Sequence, residues 1–234
     1  MNKTTIEWCD YTWNPITGCL HGCPYCYARK IAERFTGSKA WPQGFTPMFH
    51  PERLNDPVKM KKPQTIFVCS MADLFGEWVP DTWINLVMDA CTAAPWHTYI
   101  FLTKNPKRYL TIPGIYFTKN LWFGATVTNQ ADVNQRIHWL QRLPEGNTFI
   151  SFEPLLGVIS HLDLIGSPFN KEPDIKQVII GSQTNPSVEV TPEMMQPLGE
   201  ATCPGVVPTI KMFCKDSMPS WAKCRRELCW SVHK

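Results

Sequence analysis

The hydrophobic pattern of the chain is a series of short apolar runs, rich in β-branched and aromatic residues. The runs begin 23 to 33 residues apart and are apolar throughout rather than alternating. This pattern is typical of strands that are buried on both faces of a parallel sheet. The predicted strands are residues 65–69, 98–102, 121–125, 148–152, 177–180 and 207–213.

Helical signals lie between these runs. Asp81 is a candidate cap for a helix that ends before Pro95, and Val133, Ile137 and Leu140 form an apolar stripe at helical spacing. Further helices are predicted after Asn105-Pro106, after Thr191-Pro192 and over residues 219–229. Strands that alternate with helices at this spacing predict right-handed βα units and a parallel sheet.

We therefore predict one α/β domain over residues 1–234, an open partial βα barrel with a parallel sheet of about six or seven strands. Within it we expect a first loop and helix at 1–36, an irregular segment at 37–63, βα repeats at 64–214 and a C-terminal helix at 215–234, with another loop at 166–174. Sites in such sheets lie at the carboxyl ends of the strands.

Composition narrows the function classes only slightly. Hydrophobic residues make up 44% of the chain and charged residues 18%, which excludes wholesale disorder. A net charge of +3 permits contact with nucleic acid but does not argue for it. No apolar run reaches the ~18 residues of a membrane span, and the N-terminus lacks a signal-peptide pattern, so we expect a cytoplasmic protein.

Three of the ten cysteines are clustered, with the spacing Cys-x3-Cys-x2-Cys at Cys19, Cys23 and Cys26. Clustered thiols in a reducing compartment bind metal or perform chemistry more often than they form disulfides. Three thiolates on one loop can hold three irons of a [4Fe–4S] cluster and leave the fourth iron open. The alternatives are a zinc site with His21 as fourth ligand, or three unrelated thiols.

The stretch from Cys19 to Cys26, with Tyr25 before the last cysteine, resembles the signature of the radical S-adenosylmethionine (SAM) superfamily. The flanking sequence resembles a narrower group, the phage-associated three-cysteine proteins, although members of that group often have a longer gap between the first two cysteines. The stretches that carry this second resemblance are Ile6-Glu7-Trp8, Thr12-Trp13-Asn14-Pro15, residues 67–77, Leu102-Thr103-Lys104, Ser151-Phe152-Glu153-Pro154-Leu155-Leu156 and Lys211.

The resemblance implies a mechanism and its cofactors. A [4Fe–4S] cluster on the three cysteines would bind SAM at the open iron, and one electron would cleave SAM to a 5′-deoxyadenosyl radical. That radical would abstract hydrogen from a substrate. It also implies an external one-electron reductant of the flavodoxin or ferredoxin type and, from the phage-like flanks, a DNA or modified-nucleotide substrate in the host cytoplasm.

Polar residues that follow the predicted strands are the candidates for SAM and substrate contacts. Asp73 would accept the SAM amino group, and Lys104 would bind its carboxylate. Glu153, placed directly after a strand, would point into the barrel mouth, where a buried carboxylate needs a partner. The cofactor-binding candidates are Tyr25, Ser70, Asp73, Lys104, Thr126, Thr128 and Glu153, and Lys104 and Glu153 are also the catalytic candidates.

Each candidate also has a plainer interpretation. Ser70, Asp73, Thr126 and Thr128 are residue types that cap helices, and a lysine before a helix is commonly solvated.

Gly181-Ser182-Gln183 and Lys211 are further candidates for substrate contact. Cys69 either faces the site or belongs to the core, and the five tryptophans at 8, 13, 41, 78 and 122 either stack nucleobases or pack. Cys203, Cys214, Cys224 and Cys229 are either a second metal centre or small buried side chains.

Three functions are consistent with the sequence. The first is a radical SAM enzyme of isomerase type that rearranges a modified thymine base during hypermodification of phage DNA, acting on a flipped or exposed base. The second is a radical SAM lyase that repairs a DNA photolesion. The third is a non-catalytic metal-binding protein associated with nucleic acid.

Overall fold

The fold was obtained as a computed structural model, and it divides into two compact units, residues 1–121 and 122–234. The structure describes residues 1–144, 146–162, 175–181, 183–184, 187–188, 194 and 210–213. Within these residues no helix is long and apolar enough to cross a membrane. The expectation of a single domain stays a prediction.

The first unit is built on a mainly parallel sheet. Strand β1 (Asn2–Lys3) pairs antiparallel with β2 (Tyr11–Trp13), and β2, β5 (Thr65–Val68) and β6 (Thr98–Thr103) pair in parallel. Two short strands, β3 (Ile16–Thr17) and β4 (Met48–Phe49), form a separate antiparallel pair. The helices are α1 (Tyr27–Arg34), α2 (Asp56–Lys59), α3 (Asp81–Ala93) and α4 (Arg108–Thr111), with a 3-10 turn at Pro51–Arg53.

The second unit repeats the parallel arrangement. Strands β7 (Leu121–Thr126), β8 (Asn147–Phe152), β9 (Gln177–Gly181) and β12 (Ile210–Phe213) pair in parallel, and α5 (Gln130–Leu140) follows β7. Strands β10 (Gln183–Thr184) and β11 (Ser187–Val188) form a small antiparallel pair. The described residues thus hold three parallel-paired strands in the first unit and four in the second. The predicted α/β class with an open, mostly parallel sheet is confirmed.

The parallel strands are apolar because both of their faces are buried. Every residue of β9 is buried, and in β8 only Asn147 is not. In the first unit Trp13 is fully buried and its ring lies 6.3 Å from that of Tyr99, while Trp8 packs against Phe67. For Trp8 and Trp13 the packing interpretation is therefore correct.

The predicted helix starts need two corrections. Asp81 is the first residue of α3 rather than its cap, and its carboxylate pairs with Arg108. Asn105 does not cap α4, which begins three residues later and has Lys107 as its N-cap. The Asn105 side-chain amide donates to the Phe75 carbonyl. The stripe of Val133, Ile137 and Leu140 is buried along α5 as predicted.

Some predictions extend beyond what the structure describes. The segment 37–63 is mostly irregular as expected, but it contains β4, a 3-10 turn and α2. The predicted last strand is described only over Ile210–Phe213. The loop at 166–174, the helices after Thr191 and over 219–229, Ser182, and Cys203, Cys214, Cys224 and Cys229 lie outside the described residues.

Close packing between neighbouring strands of the second unit depends on a glycine. A Cβ atom added at Gly124 in β7 would lie 2.2 Å from the ring of Phe149 in β8, which is fully buried. We expect Gly124→Ala to lower the free energy of unfolding by about 1–3 kcal/mol, the usual cost of overpacking a core. Urea unfolding of the reduced protein measures this.

The matched control is Gly157→Ala, because nothing lies within 4 Å of a Cβ atom there. This control should change stability by about 0.5 kcal/mol or less. Adding Phe149→Leu to Gly124→Ala should restore part of the loss, since the clashing ring atoms are removed. Equal effects of the two glycine substitutions would contradict this account of the packing.

Candidate functional site

The three-cysteine loop connects β3 to α1 and is held to the rest of the first unit by backbone contacts. The Gly18 N–H donates to the Met71 carbonyl at 3.0 Å, and the Cys19 N–H donates to the Phe45 carbonyl at 3.2 Å. Gly18 has φ of 84°, and a Cβ atom at this position would lie 2.3 Å from the Thr46 carbonyl oxygen. Only glycine permits this close approach of the two backbones, so Gly18 fixes the position at which the cysteine loop begins.

The three thiols of the loop differ in environment. All three are partly buried, and none forms a disulfide within the described residues. Burial raises the pKa of the Cys19 thiol to about 11, so this thiol is protonated at neutral pH and must release its proton to bind metal. Cys26 caps α1, and its sulfur accepts a hydrogen bond from the Arg29 N–H at 3.4 Å.

Lys104 reaches the cysteine loop from the end of β6. Its Nζ donates to the Cys23 sulfur at 2.9 Å and to the Tyr25 hydroxyl at 2.5 Å, and it lies 4.6 Å from the centre of the Tyr25 ring. Burial lowers the pKa of Lys104, but the hydrogen bonds to Cys23 and Tyr25 outweigh it and the net pKa is raised. The side chain is therefore a cation held against the loop, rather than a solvated lysine.

Asp73 is buried beneath the same loop. Its two carboxylate oxygens accept four hydrogen bonds, from the His21 ring at 2.7 Å, the Thr103 hydroxyl at 2.7 Å, and the backbone N–H groups of Lys104 at 2.9 Å and Phe75 at 3.0 Å. Burial raises the pKa of Asp73, but these hydrogen bonds outweigh it and the net pKa is lowered. The carboxylate therefore joins the cysteine loop to the ends of β5 and β6.

Ser70 belongs to a second set of contacts between these segments. Its hydroxyl donates to the side-chain oxygen of Asn14 at 3.2 Å, and the same oxygen accepts the Met71 N–H at 2.9 Å. The Ser70 carbonyl accepts a hydrogen bond from the Tyr27 hydroxyl at 2.6 Å. Cys69, directly before, is buried, has φ of 60°, and has a thiol pKa raised by burial to about 12. These properties favour the core interpretation of Cys69.

The remaining predicted site residues lie in the second unit, at the ends of β7 and β8. Thr126 and Thr128 are buried, and the Thr128 N–H and hydroxyl both donate to Asp132. Asn129 caps α5 through the Asp132 N–H, so Thr128 takes part in a helix-capping arrangement. Glu153 is exposed, which corrects the expectation of a buried carboxylate at this position.

Two groups in the site were not predicted as such. The sequence indicates His21 only as a candidate zinc ligand, but its Nε2 donates to Asp73 and its ring makes an edge contact with Trp78, 4.8 Å between centroids. Asn14 appeared only within a matching stretch. A signal was present for each, since His21 lies inside the cysteine motif and Asn14 follows a strand and precedes a proline.

The donor set fits an iron–sulfur cluster. No group of three or more His, Cys, Asp or Glu side chains in the described part of the chain converges on a single metal ion. A [4Fe–4S] cluster does not require this, because each of its three thiolates binds a different iron. Three thiols on one pinned loop, one at a helix N-terminus and one beside a lysine, are chemically suited to an anionic cluster at Cys19, Cys23 and Cys26.

The anchoring role of Asp73 predicts a large cost for its removal. Asp73→Ala would leave the His21, Thr103 and two backbone donors without their acceptor, and we expect a loss of about 3–5 kcal/mol in unfolding free energy. Asp73→Asn, which keeps one acceptor oxygen, should cost less. Chemical denaturation of the cluster-free, reduced protein measures both.

Asp81→Ala is the matched control. The Asp81 side chain is 51% exposed and pairs with Arg108 at the surface, so its removal should cost about 1 kcal/mol or less. If Asp73→Ala were as mild as this control, the carboxylate would not hold the loop.

Comparison with known proteins identifies a family. A family model described as a protein of unknown function (DUF5131) matches residues 3–198. A search of curated proteins finds no match.

Similar solved structures are those of spore photoproduct lyase. One, complexed with dinucleoside spore photoproduct, has a TM-score of 0.51 at 9% identity and covers 84% of this chain and 62% of its own. A cysteine-to-serine variant has a TM-score of 0.49 at 14% identity, covering 65% and 48%. A double variant with bound AdoMet and dinucleoside spore photoproduct has 0.46 at 11%, with the same coverage.

The chain spans about half the length, 48%, of the two variant structures. The first-mentioned likeness shows a shared fold, which is the fold expected from the resemblance to the radical SAM superfamily. The narrower relation to phage-associated proteins stays a prediction. Since the family model covers most of the sequence, the chain belongs to the DUF5131 family of proteins of unknown function.

Proposed function

We propose that this protein is a radical SAM enzyme that acts on a nucleic-acid base. The observation that carries the proposal is the first-unit site, in which a pinned three-thiol loop, a lysine and a buried carboxylate meet at the ends of parallel strands. The shared fold with spore photoproduct lyase supports the same chemistry. When bound, a [4Fe–4S] cluster with SAM supplies a 5′-deoxyadenosyl radical for hydrogen abstraction.

In this proposal Cys19, Cys23 and Cys26 hold the cluster, and the protein residues around them hold and orient SAM. Lys104 is the cation for the SAM carboxylate, and its contacts with Cys23 and Tyr25 keep it at the loop. Asp73 fixes the Lys104 backbone through the Lys104 N–H. With four donors on its carboxylate, Asp73 is proposed to act on SAM mainly through the position of the loop.

Ser70, Thr126, Thr128 and Glu153 remain proposed contacts. The Ser70 hydroxyl already donates to Asn14, so it would offer its oxygen as an acceptor to a ligand. Glu153 is exposed, and its side chain would lie 2.9 Å from a Cβ atom at Gly181, so the glycine leaves room for the carboxylate. An exposed carboxylate at a strand end is suited to proton transfer with a base that enters from solvent.

Two reactions fit this site. The first is isomerisation of a modified thymine during phage DNA hypermodification, supported by the resemblance of the flanking sequence. The second is radical SAM repair of a DNA photolesion, and the shared fold with a photoproduct lyase complexed with a dinucleoside lesion favours it. In either reaction a target base in duplex DNA must leave the stack.

The cluster and SAM parts of the proposal predict a defined metal content. Anaerobic reconstitution with iron and sulfide should give a brown protein with about four irons per chain. Dithionite and SAM should then yield 5′-deoxyadenosine, and Cys23→Ala should abolish both properties. Metal analysis and chromatography of the products measure them.

Cys9→Ala is the matched control, because Cys9 is a buried cysteine outside the loop. It should keep full iron content and SAM cleavage. A colourless protein that binds zinc in place of iron would contradict the proposal and favour the non-catalytic metal-binding alternative.

The choice between the two reactions predicts which DNA is changed. We expect the reconstituted, reduced protein with SAM to alter one of two substrates, phage DNA with modified thymine or ultraviolet-irradiated DNA. Mass spectrometry of the nucleosides would show a new isomer of equal mass in the first case. In the second it would show thymidine regained from the lesion. Unmodified, unirradiated DNA is the control, and no change in any of the three would contradict a DNA-base substrate.

A further inference from the structure

Helix α1 has two apolar faces, of which one is buried and the other is largely exposed. Ala28 and Ala32 are buried in a cluster with Phe45, and this cluster packs the helix against the first unit. Tyr27, Ile31 and Phe35 follow each other at a spacing of four residues, so they share a second stripe along the helix. Their exposed fractions are 52%, 42% and 51%.

Leu20, in the cysteine loop that leads into α1, is also exposed, by 58%. We refer to Leu20, Tyr27, Ile31 and Phe35 as the α1 face. Half of the exposed large apolar side chains in the described part of the chain belong to it. A helix that is already packed through its alanines does not need a second apolar stripe for folding, and clustered exposed apolar residues mark interaction surfaces.

The charge around the α1 face is predominantly positive. Lys30, Arg34 and Lys39 are exposed, and the only acidic residue among positions 27–39 is Glu33. The Arg34 guanidinium lies over the Phe35 ring, 5.6 Å from its centre, so positive charge borders the apolar stripe directly. An apolar centre with a charged rim is the usual composition of a protein interface, and this rim complements an acidic partner.

The position of the α1 face in the chain relates it to the cysteine loop. Leu20 directly follows Cys19, and α1 begins at the residue after Cys26. A protein bound to this face would therefore contact the loop that carries the thiols. Transfer of an electron between two proteins requires that their redox groups lie close together, and a donor bound here would lie next to the cysteine loop.

We propose that the α1 face is the docking surface for an acidic protein that donates one electron, of the flavodoxin or ferredoxin class. This inference rests on the proposed radical SAM function, which consumes one electron for each SAM cleaved. In the step, the reduced donor loses one electron and the centre held by the three cysteines gains it, and no atom or proton is transferred. The apolar stripe supplies the contact area, and the lysine and arginine rim attracts and orients the donor.

The first test measures binding alone. An acidic flavodoxin is titrated into the reconstituted protein by isothermal calorimetry at low ionic strength. We expect Ile31→Glu and the double variant Lys30→Glu/Arg34→Glu each to weaken binding by about tenfold or more, as for central and charged interface positions. Raising the ionic strength from roughly 0.01 to 0.15 M should weaken wild-type binding, because the screening length falls from about 30 to 8 Å.

Matched controls come from α3 and from the turn that precedes α4. Leu86→Glu replaces an apolar side chain that is 43% exposed on α3, and Lys107→Glu reverses an exposed charge. Both should bind the flavodoxin like the wild type. Unchanged binding in the α1-face variants, or equal weakening in the controls, would overturn the proposal. The same holds if the protein self-associates through this face and Ile31→Glu dissolves the dimer, as sedimentation would show.

The second test separates this inference from the proposed function. Reduction of the cluster is followed by absorbance, once with reduced flavodoxin and once with dithionite, which is small and needs no docking surface. The α1-face variants should be slowed about tenfold with flavodoxin and unchanged with dithionite. Equal slowing with both reductants would overturn the docking surface. If the wild-type protein forms no cluster at all, the proposed function fails, whereas the binding titration, repeated on the cluster-free protein, still decides the surface.

Discussion

The arrangement of the site depends on one buried charge, the carboxylate of Asp73. A buried carboxylate is costly unless hydrogen bonds replace its lost hydration, and here four donors do so. The donors come from separate segments, because His21 lies in the cysteine loop while Thr103 and Lys104 end β6. If these segments separated, the buried donors and the carboxylate would lose their hydrogen-bond partners at a cost in free energy. The Asp73 carboxylate therefore fixes the position of the cysteine loop.

Lys104 links this structural role to chemistry. Its backbone is fixed by Asp73, and its side chain reaches the Cys23 sulfur at 2.9 Å. The ammonium therefore places a positive charge directly beside one of the three clustered thiols. The two residues therefore depend on each other. Asp73 fixes the backbone of Lys104, and this determines where the Lys104 ammonium lies.

The sequence predicted the parts of this fold that have a periodic or compositional signal. The starts of β5, β6, β7 and β9 are as predicted and β8 starts one residue earlier, because strands buried on both faces are apolar throughout. Strands β1 to β3 were missed, since two or three residues carry no periodicity. The hydrogen bond between His21 and Asp73 joins residues 52 positions apart and is a product of tertiary structure alone. Glu153 was expected to be buried because it follows a strand, but position in sequence does not determine exposure.

The same reasoning explains why the thiols were more informative than the polar residues at other strand ends. Ser, Thr, Asn and Asp are suited to ligand contacts and to helix caps equally, and Thr128 and Asp132 show that a cap can satisfy such groups completely. A residue type that serves equally well in a helix cap and in a ligand contact does not indicate which of the two roles it has. Three cysteines on one loop are more discriminating, because the weak hydrogen bonds that the Cys23 and Cys26 sulfurs accept do not require three thiols at this spacing. In this chain, chemistry is therefore better predicted from the clustered thiols than from single polar residues at strand ends.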